Sequence, residues 1–413
     1  MKILFVSLGC DKNLVDSEKM LGMLQEKGYT FTDDEAEADV VVVNTCCFIG
    51  DAKEESINTL LQMGELKDSG QIKALIAAGC LAQRYREEIQ KEIPQVDAII
   101  GTTAIDEIVA ALEEILAGQK QNHYEDINAA PVTETNRVVT TGGHFAYLKI
   151  AEGCDKHCTY CIIPKVRGNY RSVPKESLLK EATELADKGV RELILVAQET
   201  TLYGMDLYGK KELPRLLHEL AQIPGIYWIR ILYCYPEEIT DELIDAIAAE
   251  PKVCNYLDIP IQHASDNVLK RMGRRTDQAE LRAIIGKLRE KIPDICLRTT
   301  LISGFPGETQ EDFEELYRFV NEMEFDRLGV FPYSQEEDTP AATMEDQVPQ
   351  EVKEFRRDEL MELQQEIAFD TAENMVGKEV LVMIEGKVAD ENAYVGRTYR
   401  DAPNVDGLIF VNT

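Results

Sequence analysis

The chain is predicted to be an α/β protein in three parts: an N-terminal doubly wound parallel sheet, a central partial (β/α)6 barrel, and a small antiparallel β-barrel left incomplete at the C-terminus. Three observations predict this. Apolar runs alternate with amphipathic stretches through the first hundred residues, six more strand-like runs occupy residues 144–349, and after Val376 short alternating segments punctuated by glycine take over. Continuous apolar runs belong to strands buried on both faces, and alternation with helices makes the sheet parallel.

In order, KILFVS leads to Gly9-Cys10 and a helix from about Leu14 to Lys27. ADVVVV leads to Asn44-Thr45-Cys46 and a helix beginning near Ala52, IKALIAA to Gly79-Cys80 and a helix to about Ile93, and VDAII closes the series at a boundary near residue 118. Residues 119–143 lose the periodicity, carry Thr-rich turns and Gly142-Gly143, and are expected to form a linker. FAYLKIAEG, ELILVAQ, YWIRILYC, NYLDIPIQ, ICLRTTLISG and RLGVFPYS then supply the six strands of the barrel. An eight-unit barrel takes about 250 residues, about 31 per unit, so this stretch accommodates six units and should stay laterally open. Residues 350–375 are expected to form a charged amphipathic helix with Leu360, Leu363 and Ile367 on one face. Residues 376–413 are short for an independent barrel, so either the chain is a fragment or this last part is incomplete.

Cys154, Cys158 and Cys161 lie in AEGCDKHCTYCIIPKVRG, with three residues and then two between successive cysteines. A four-iron cluster normally takes four cysteine thiolates, so three leave one iron open to a substrate or cofactor. Zinc sites of the finger or ribbon type use two pairs, and no second pair follows. Three structural cysteines near a loop are the plainer alternative, weakened by the strand-like FAYLKI before them and the polar IPKVRG after them. Cys10, Cys46 and Cys80 each end an apolar strand pattern, although they are about 35 residues apart. Parallel sheets bind ligands outside the carboxyl ends of their strands, so three cysteines there favour a second metal site over coincidence. Cys47 adjoins Cys46, and the matched loop positions favour Cys46 as the ligand. Cys234, Cys254 and Cys296 fall in or beside apolar strands, where a free cysteine acts as a small buried hydrophobe.

The formal net charge is -31, from 44 Lys and Arg against 75 Asp and Glu. That balance excludes broad nucleic-acid binding, which needs cations to displace counterions from phosphates; it suits a basic partner, or serves solubility alone. No run of 18 apolar residues suggests a membrane span. MKILFVSLGC is too short for a signal peptide. A cytoplasmic protein with its ten cysteines reduced is expected.

The triplet, with Tyr160 just before its last cysteine, is similar to the signature of radical S-adenosylmethionine enzymes. The resemblance implies a 4Fe-4S cluster on Cys154, Cys158 and Cys161, with S-adenosylmethionine chelating the open iron through its amino and carboxylate groups and Tyr160 near the adenine. With Cys10, Cys46 and Cys80 ahead of the triplet and a terminal segment like the TRAM module, the chain resembles the methylthiotransferases over nearly its whole length. In that family the first three cysteines hold a second 4Fe-4S cluster that carries or delivers sulfur. SLGCDKNLVDSE and NTCCFIGDAKEESI resemble the branch that modifies an aspartate of ribosomal protein S-twelve. The branch that modifies transfer-RNA adenosine tends to have GCQMN at the first site and a basic residue soon after the second cysteine, where this chain has Asp11-Lys12-Asn13 and Phe48-Ile49-Gly50. One departure is Val173 in RGNYRSVP, where the family often has an arginine.

What the resemblance implies is transfer of a methylated sulfur to the side-chain carbon of the aspartate after a radical has removed a hydrogen that no protein base can take, with flavodoxin or ferredoxin as electron donor. Cofactor contacts are expected at the strand ends: Gln198 in VAQET, Gln262 and His263 in IPIQHAS, and Arg298 with the GFPGE loop, an arginine being able to pair with a carboxylate. Ordinary strand-end hydrogen bonding is the alternative for each. His263 is expected to be a structural partner rather than a base, and Lys156 and His157 to be solvated. Competing functions are a transfer-RNA methylthiotransferase, an iron–sulfur electron carrier without turnover, and a ribosome assembly factor.

Overall fold

The computed structural model describes residues 1–412; Thr413, the last residue of the expected C-terminal unit, lies outside the described residues. The first unit runs β1 (Lys2–Ser7), α1 (Asp11–Glu26), β2 (Thr30–Thr32), β3 (Val40–Thr45), α2 (Gly50–Asp68), β4 (Ala74–Ala78), α3 (Gly79–Glu92), β5 (Ala98–Ile100) and α4 (Ile108–Leu116). Its strands form one parallel sheet in the order β2-β1-β3-β4-β5. Every residue of β3 and β4 is buried, because helices cover both faces. Val41, Val43 and Leu75 pack with Leu60 and Met63 of α2, while Val40, Val42 and Ile76 pack with Met20 and Leu24 of α1 and Leu112 of α4. The four apolar strands of the sequence pattern are present. β2, Thr-Phe-Thr, has no apolar run that could have announced it.

Residues 119–143 contain no helix or strand, as their composition predicts, but they are not a loose tether. Arg137 is 4% exposed. Its Nε donates to Glu18 Oε2 of α1 at 2.7 Å and its Nη1 to Glu181 Oε1 at 2.8 Å, so it pins the first unit to the second.

The second unit comprises β6 (Phe145–Lys149), β7 (Ala151–Glu152), α5 (Ile163–Arg167), β8 (Arg171–Ser172), α6 (Lys175–Asp187), β9 (Glu192–Val196), α7 (Met205–Tyr208), α8 (Leu213–Ala221) and β10 (Trp228–Ile231). It continues with α9 (Asp241–Ala249), β11 (Val253–Asp258), α10 (Asp266–Arg271), α11 (Gln278–Lys291), β12 (Cys296–Ser303), α12 (Gln310–Met323) and β13 (Arg327–Pro332). Six strands form a wholly parallel sheet in sequential order, β6-β9-β10-β11-β12-β13, leaving β6 and β13 as edges. Alternate side chains separate the two faces. Ala146, Leu148, Leu193 and Leu195 join the helix-covered core, whereas Phe145, Tyr147, Ile194 and Val196 meet Leu14 and Val15 of α1 and Tyr399 and Ala402 near the C-terminus. The inner face is therefore filled from both neighbouring units.

Helix α13 (Gln350–Glu373) buries Leu360, Leu363 and Ile367, the face its pattern predicts. β14 (Met383–Lys387), β15 (Ala393–Arg397) and β16 (Ile409–Asn412) then form one antiparallel sheet in that order. β14 and β16 do not pair, so the described strands make an open antiparallel sheet rather than a closed barrel. A buried carboxylate fastens it: Glu192 Oε1 accepts from Arg230 Nε, and its Oε2 from Arg397 Nη2, both at 2.7 Å. Among the described residues no helix is long and apolar enough to cross a membrane.

Candidate active site

The triplet occupies the loop between β7 and α5. Gly153 opens it at φ +77°, and a Cβ there would stand 2.0 Å from the Asn169 carbonyl oxygen, so only glycine allows this close approach. Cys154 and Cys158 are each 6% exposed. The Lys156 amide approaches Cys154 Sγ at 3.4 Å, and the Cys161 amide donates to the Cys158 carbonyl at 3.0 Å. Burial pushes the Cys154 and Cys161 thiols up to about 12, and Cys161 feels both other thiols of the triplet. Such thiols surrender their protons when a cation takes their place. Lys156 is not solvated as expected: it is 8% exposed and paired with Glu237 and Glu238, because the loop folds inward over the sheet. His157 is exposed.

Two buried groups beside the triplet lack partners. Glu199, just after β9, accepts from the Thr201 amide at 2.8 Å through Oε1, while its Oε2 is buried with no hydrogen bond. Arg274, 8% exposed, donates from Nη2 to the Pro260 carbonyl at 3.0 Å and lies 4.2 Å from the Tyr235 ring centroid. Its Nε and Nη1 are buried without acceptors. Buried polar atoms are nearly always paired, so orphans in a native fold call for an explanation. One carboxylate acceptor and two guanidinium donors beside three thiols fit the ammonium and carboxylate of an amino acid.

Burial pushes the Glu199 carboxyl up to about 7. Stability carried by its protonated form is complete below the ordinary glutamate value of 4.5 and is lost as pH rises through about 7. The melting temperature of cluster-free protein should therefore fall over that interval, and Glu199→Gln should flatten the fall. An identical slope in the variant would contradict this.

The other expected contacts distribute unevenly. Gln198 Nε2 donates to Glu152 Oε1 at 3.0 Å, while its own Oε1 is buried and unpaired. Gln262 adopts φ +72° four residues beyond β11, and its amide bonds to the Thr300 carbonyl of β12 at 2.9 Å. For a residue other than glycine that conformation is strained, as at many ligand sites. Tyr160 packs edge-on against Phe305, with ring centroids 6.3 Å apart. His263 is fully buried, accepts from the Ser265 amide at 2.9 Å and lies 3.5 Å from Glu308, a structural arrangement.

Arg298 requires correction. It is the third residue of β12, about 20 Å of extended chain before the Gly304 turn at 3.3 Å per residue. Its Nη1 bonds Asp258 at 2.7 Å, and it lines a cavity of about 950 Å³ with Asp326, Phe331, Met361 and Asp406. No cysteine lines that cavity. Within ICLRTTLISG the arginine stands near the start of the strand, at the opposite end from the loop.

In the first unit, Gly9 at φ +85° lets the Cys10 loop pass Cys46; a Cβ there would come within 2.8 Å of Cys46 Sγ. Ser56 Oγ brackets Cys46 by accepting from its amide and donating to its carbonyl, both at 2.9 Å. Burial pushes the Cys46 thiol up to about 12, with Cys80 and Cys10 among the charges it feels. Burial also raises the Cys80 thiol, against the lowering effect of Arg167. Cys47 is buried in the apolar cluster with Leu60 and Met63. Among the described residues no three His, Cys, Asp or Glu side chains are grouped to hold a single metal ion. A four-iron cluster distributes its thiolates over separate irons and accepts a wider spacing.

One short segment touches both cysteine groups. Beyond β10, Tyr233 at φ +61° donates its hydroxyl to Asp11 Oδ1 at 3.1 Å and carries Lys12 Nζ 3.3 Å above its ring. Two residues later, the Tyr235 hydroxyl stands 3.1 Å from Cys158 Sγ. Ile162 and Val166 pack into the apolar core of the first unit, and Arg167 Nε donates to Cys80 Sγ at 3.2 Å. Sequence reasoning missed Glu199, Tyr233, Tyr235, Arg274 and Arg167. The tyrosines end an apolar strand and gave some signal; the arginines sit in charged runs, KVRG and KRMGRR, where nothing separates a buried guanidinium from a solvated one.

Known proteins agree with this architecture. The uncharacterized protein family UPF0004 matches residues 2–101, the radical SAM superfamily residues 148–320 and the TRAM domain residues 376–413. Among solved structures, the radical S-adenosylmethionine methyltransferase TsrM from Kitasatospora setae, with cobalamin and a [4Fe-4S] cluster bound, aligns with TM-score 0.59 at 13% identity over 82% of this chain and 76% of its own. The cobalamin-dependent radical enzyme OxsB aligns with TM-score 0.54 at 13% identity over 89% of this chain and 56% of its own. These likenesses show the fold. The ribosomal protein uS12 methylthiotransferase RimO of Lachnoclostridium phytofermentans is 63% identical over 100% of this chain and 94% of its own length. That of Clostridium perfringens is 52% identical over 99% of this chain and 92% of its own. With identity at that level along the whole chain and two cysteine groups joined through one loop, the chain belongs to the RimO family of radical S-adenosylmethionine methylthiotransferases.

Proposed function

We propose that this chain transfers a methylthio group to the side-chain β-carbon of an aspartate in ribosomal protein S-twelve, with S-adenosylmethionine and two 4Fe-4S clusters. The observation that carries the reading is the segment Tyr233–Tyr235, whose two hydroxyls reach the Cys10 loop and Cys158. Cys154, Cys158 and Cys161 hold one cluster; Cys10, Cys46 and Cys80 hold the other. Once bound to the first, S-adenosylmethionine supplies a carbon radical strong enough to take hydrogen from an unactivated carbon. Glu199 Oε2 takes its ammonium and Arg274 Nε and Nη1 its carboxylate, since these atoms otherwise stay buried and unpaired. Tyr160, Gln198 and Gln262 complete the cofactor's surroundings. Tyr235 keeps Cys158 oriented.

The six-stranded sheet acts as a partial barrel (144–349), between a sulfur-carrying domain (1–118) with its linker (119–143) and a linking helix (350–375) followed by a TRAM-like unit (376–413). The charge of -31 fits a basic ribosomal protein as partner and disfavours broad nucleic-acid binding. A flavodoxin or ferredoxin as electron donor and a cytoplasmic location complete the reading.

The test is reconstituted protein given S-adenosylmethionine, dithionite and a peptide spanning the S-twelve loop. Mass spectrometry should find the methylthio group on the aspartate and deoxyadenosine in solution. An unmodified peptide beside a methylthiolated transfer-RNA adenosine would transfer the reading to the other branch; no deoxyadenosine at all would favour an electron carrier.

A further inference from the structure

Arg167 is 1% exposed and sits six residues after Cys161, yet most of its side-chain partners belong to the first unit. Its Nε donates to Cys80 Sγ at 3.2 Å, its Nη2 to Asn13 Oδ1 at 2.6 Å, and its Nη1 to Asp16 Oδ2 at 2.7 Å and Glu152 Oε2 at 3.3 Å. Lys149 joins Asp16 and Glu152 from the other side, so two cations and two carboxylates balance before any thiolate charge is counted. Glu152 also accepts from Gln198 and lies two residues before Cys154. One buried network thus runs from the triplet's side of the fold to a sulfur of the other cysteine group.

We propose that Arg167 is a positioning residue of the second cluster: its Nε–H bonds the Cys80 thiolate, and its fixed charge raises that cluster's reduction potential, so the unit bearing the triplet tunes the centre that carries sulfur. The inference rests on the reading that Cys10, Cys46 and Cys80 hold a cluster. A guanidinium stays protonated under all relevant conditions, and four bonds to oxygen-bearing partners and sulfur fix the direction of its Nε–H. Hydrogen bonds to cluster sulfurs and nearby charge are the levers a protein has on cluster potential. Burial keeps water from screening either. Reduction adds negative charge to the cluster, which a cation favours, so loss of Arg167 moves the potential downward.

The full chain with Cys154, Cys158 and Cys161 replaced by Ala isolates the second cluster. In redox titrations followed by electron paramagnetic resonance, Arg167→Gln should shift its midpoint to more negative values, and Arg167→Lys, which keeps the charge but loses the planar donor, should shift it less. In the converse protein with Cys10, Cys46 and Cys80 replaced by Ala, Arg167→Gln should leave the triplet cluster's midpoint unmoved. Equal midpoints in all proteins at full iron content would reduce Arg167 to a clamp between units and overturn the proposal. Where a variant fails to fold, the protein with Arg167 intact still decides: grown on arginine labelled with the heavy nitrogen isotope, its reduced second cluster should show coupling to that nitrogen in pulsed spectra. Absence of coupling in a loaded cluster sinks the proposal alone. Absence of iron and sulfide from the triple-Ala protein sinks the two-cluster reading and the proposal with it.

Discussion

Replacing Cys158 with Ala is expected to reduce deoxyadenosine and methylthiolated peptide to background while leaving the protein folded. A cluster held by three thiolates cannot keep its open iron on two, and the loss removes about four irons per chain. The substitution deletes one sulfur at a site that is 6% exposed and leaves the Tyr235 hydroxyl without that partner, a small structural cost. The melting temperature should therefore move little, and the absorbance of the cluster proposed on Cys10, Cys46 and Cys80 should persist. Deoxyadenosine formation at the parental rate would remove Cys158 from the site.

Replacing Glu192 with Ala should give the largest loss of stability. Its carboxylate is fully buried between Arg230 and Arg397, themselves fully buried. Removing one partner of a buried ion pair costs about 3–5 kcal/mol, because the charge left behind has neither partner nor water. Arg397 keeps Glu385, but Arg230 keeps no carboxylate, only the Thr398 and Tyr399 carbonyls and the Tyr256 ring. Because Arg397 ends β15, the C-terminal sheet should separate from the six-stranded sheet and become sensitive to protease well below the main transition. A melting temperature and digestion pattern like those of the parent would show that the clamp contributes nothing.

Much of the layout was legible because burial on both faces writes itself as uninterrupted apolar runs. VVVV and ALIAA read as central strands and are, and the spacing of the triplet marked it as a candidate set of cluster ligands. Legibility failed where a side chain's fate depends on another unit. Lys156 sits in a polar loop and is buried by Glu237 and Glu238, about eighty residues away; Arg298 reads as a strand-end cation and lies at the strand's beginning, facing Asp406. Arg274, in an arginine-rich turn, keeps two buried donors without acceptors beside the triplet.

The sequence by itself determined the apolar strands of the two parallel sheets, their alternation with helices, and the six cysteines on which the chemistry is proposed to rest, because periodicity and ligand spacing are local properties of a chain. Only the tertiary structure decided that Tyr233 and Tyr235 connect the two cysteine groups, that Arg167 reaches Cys80 across a unit boundary, and that Glu192 fastens the C-terminal sheet. Those contacts join residues far apart in the chain, and their energies come from desolvation and charge pairing, which exist only once the units have closed on one another.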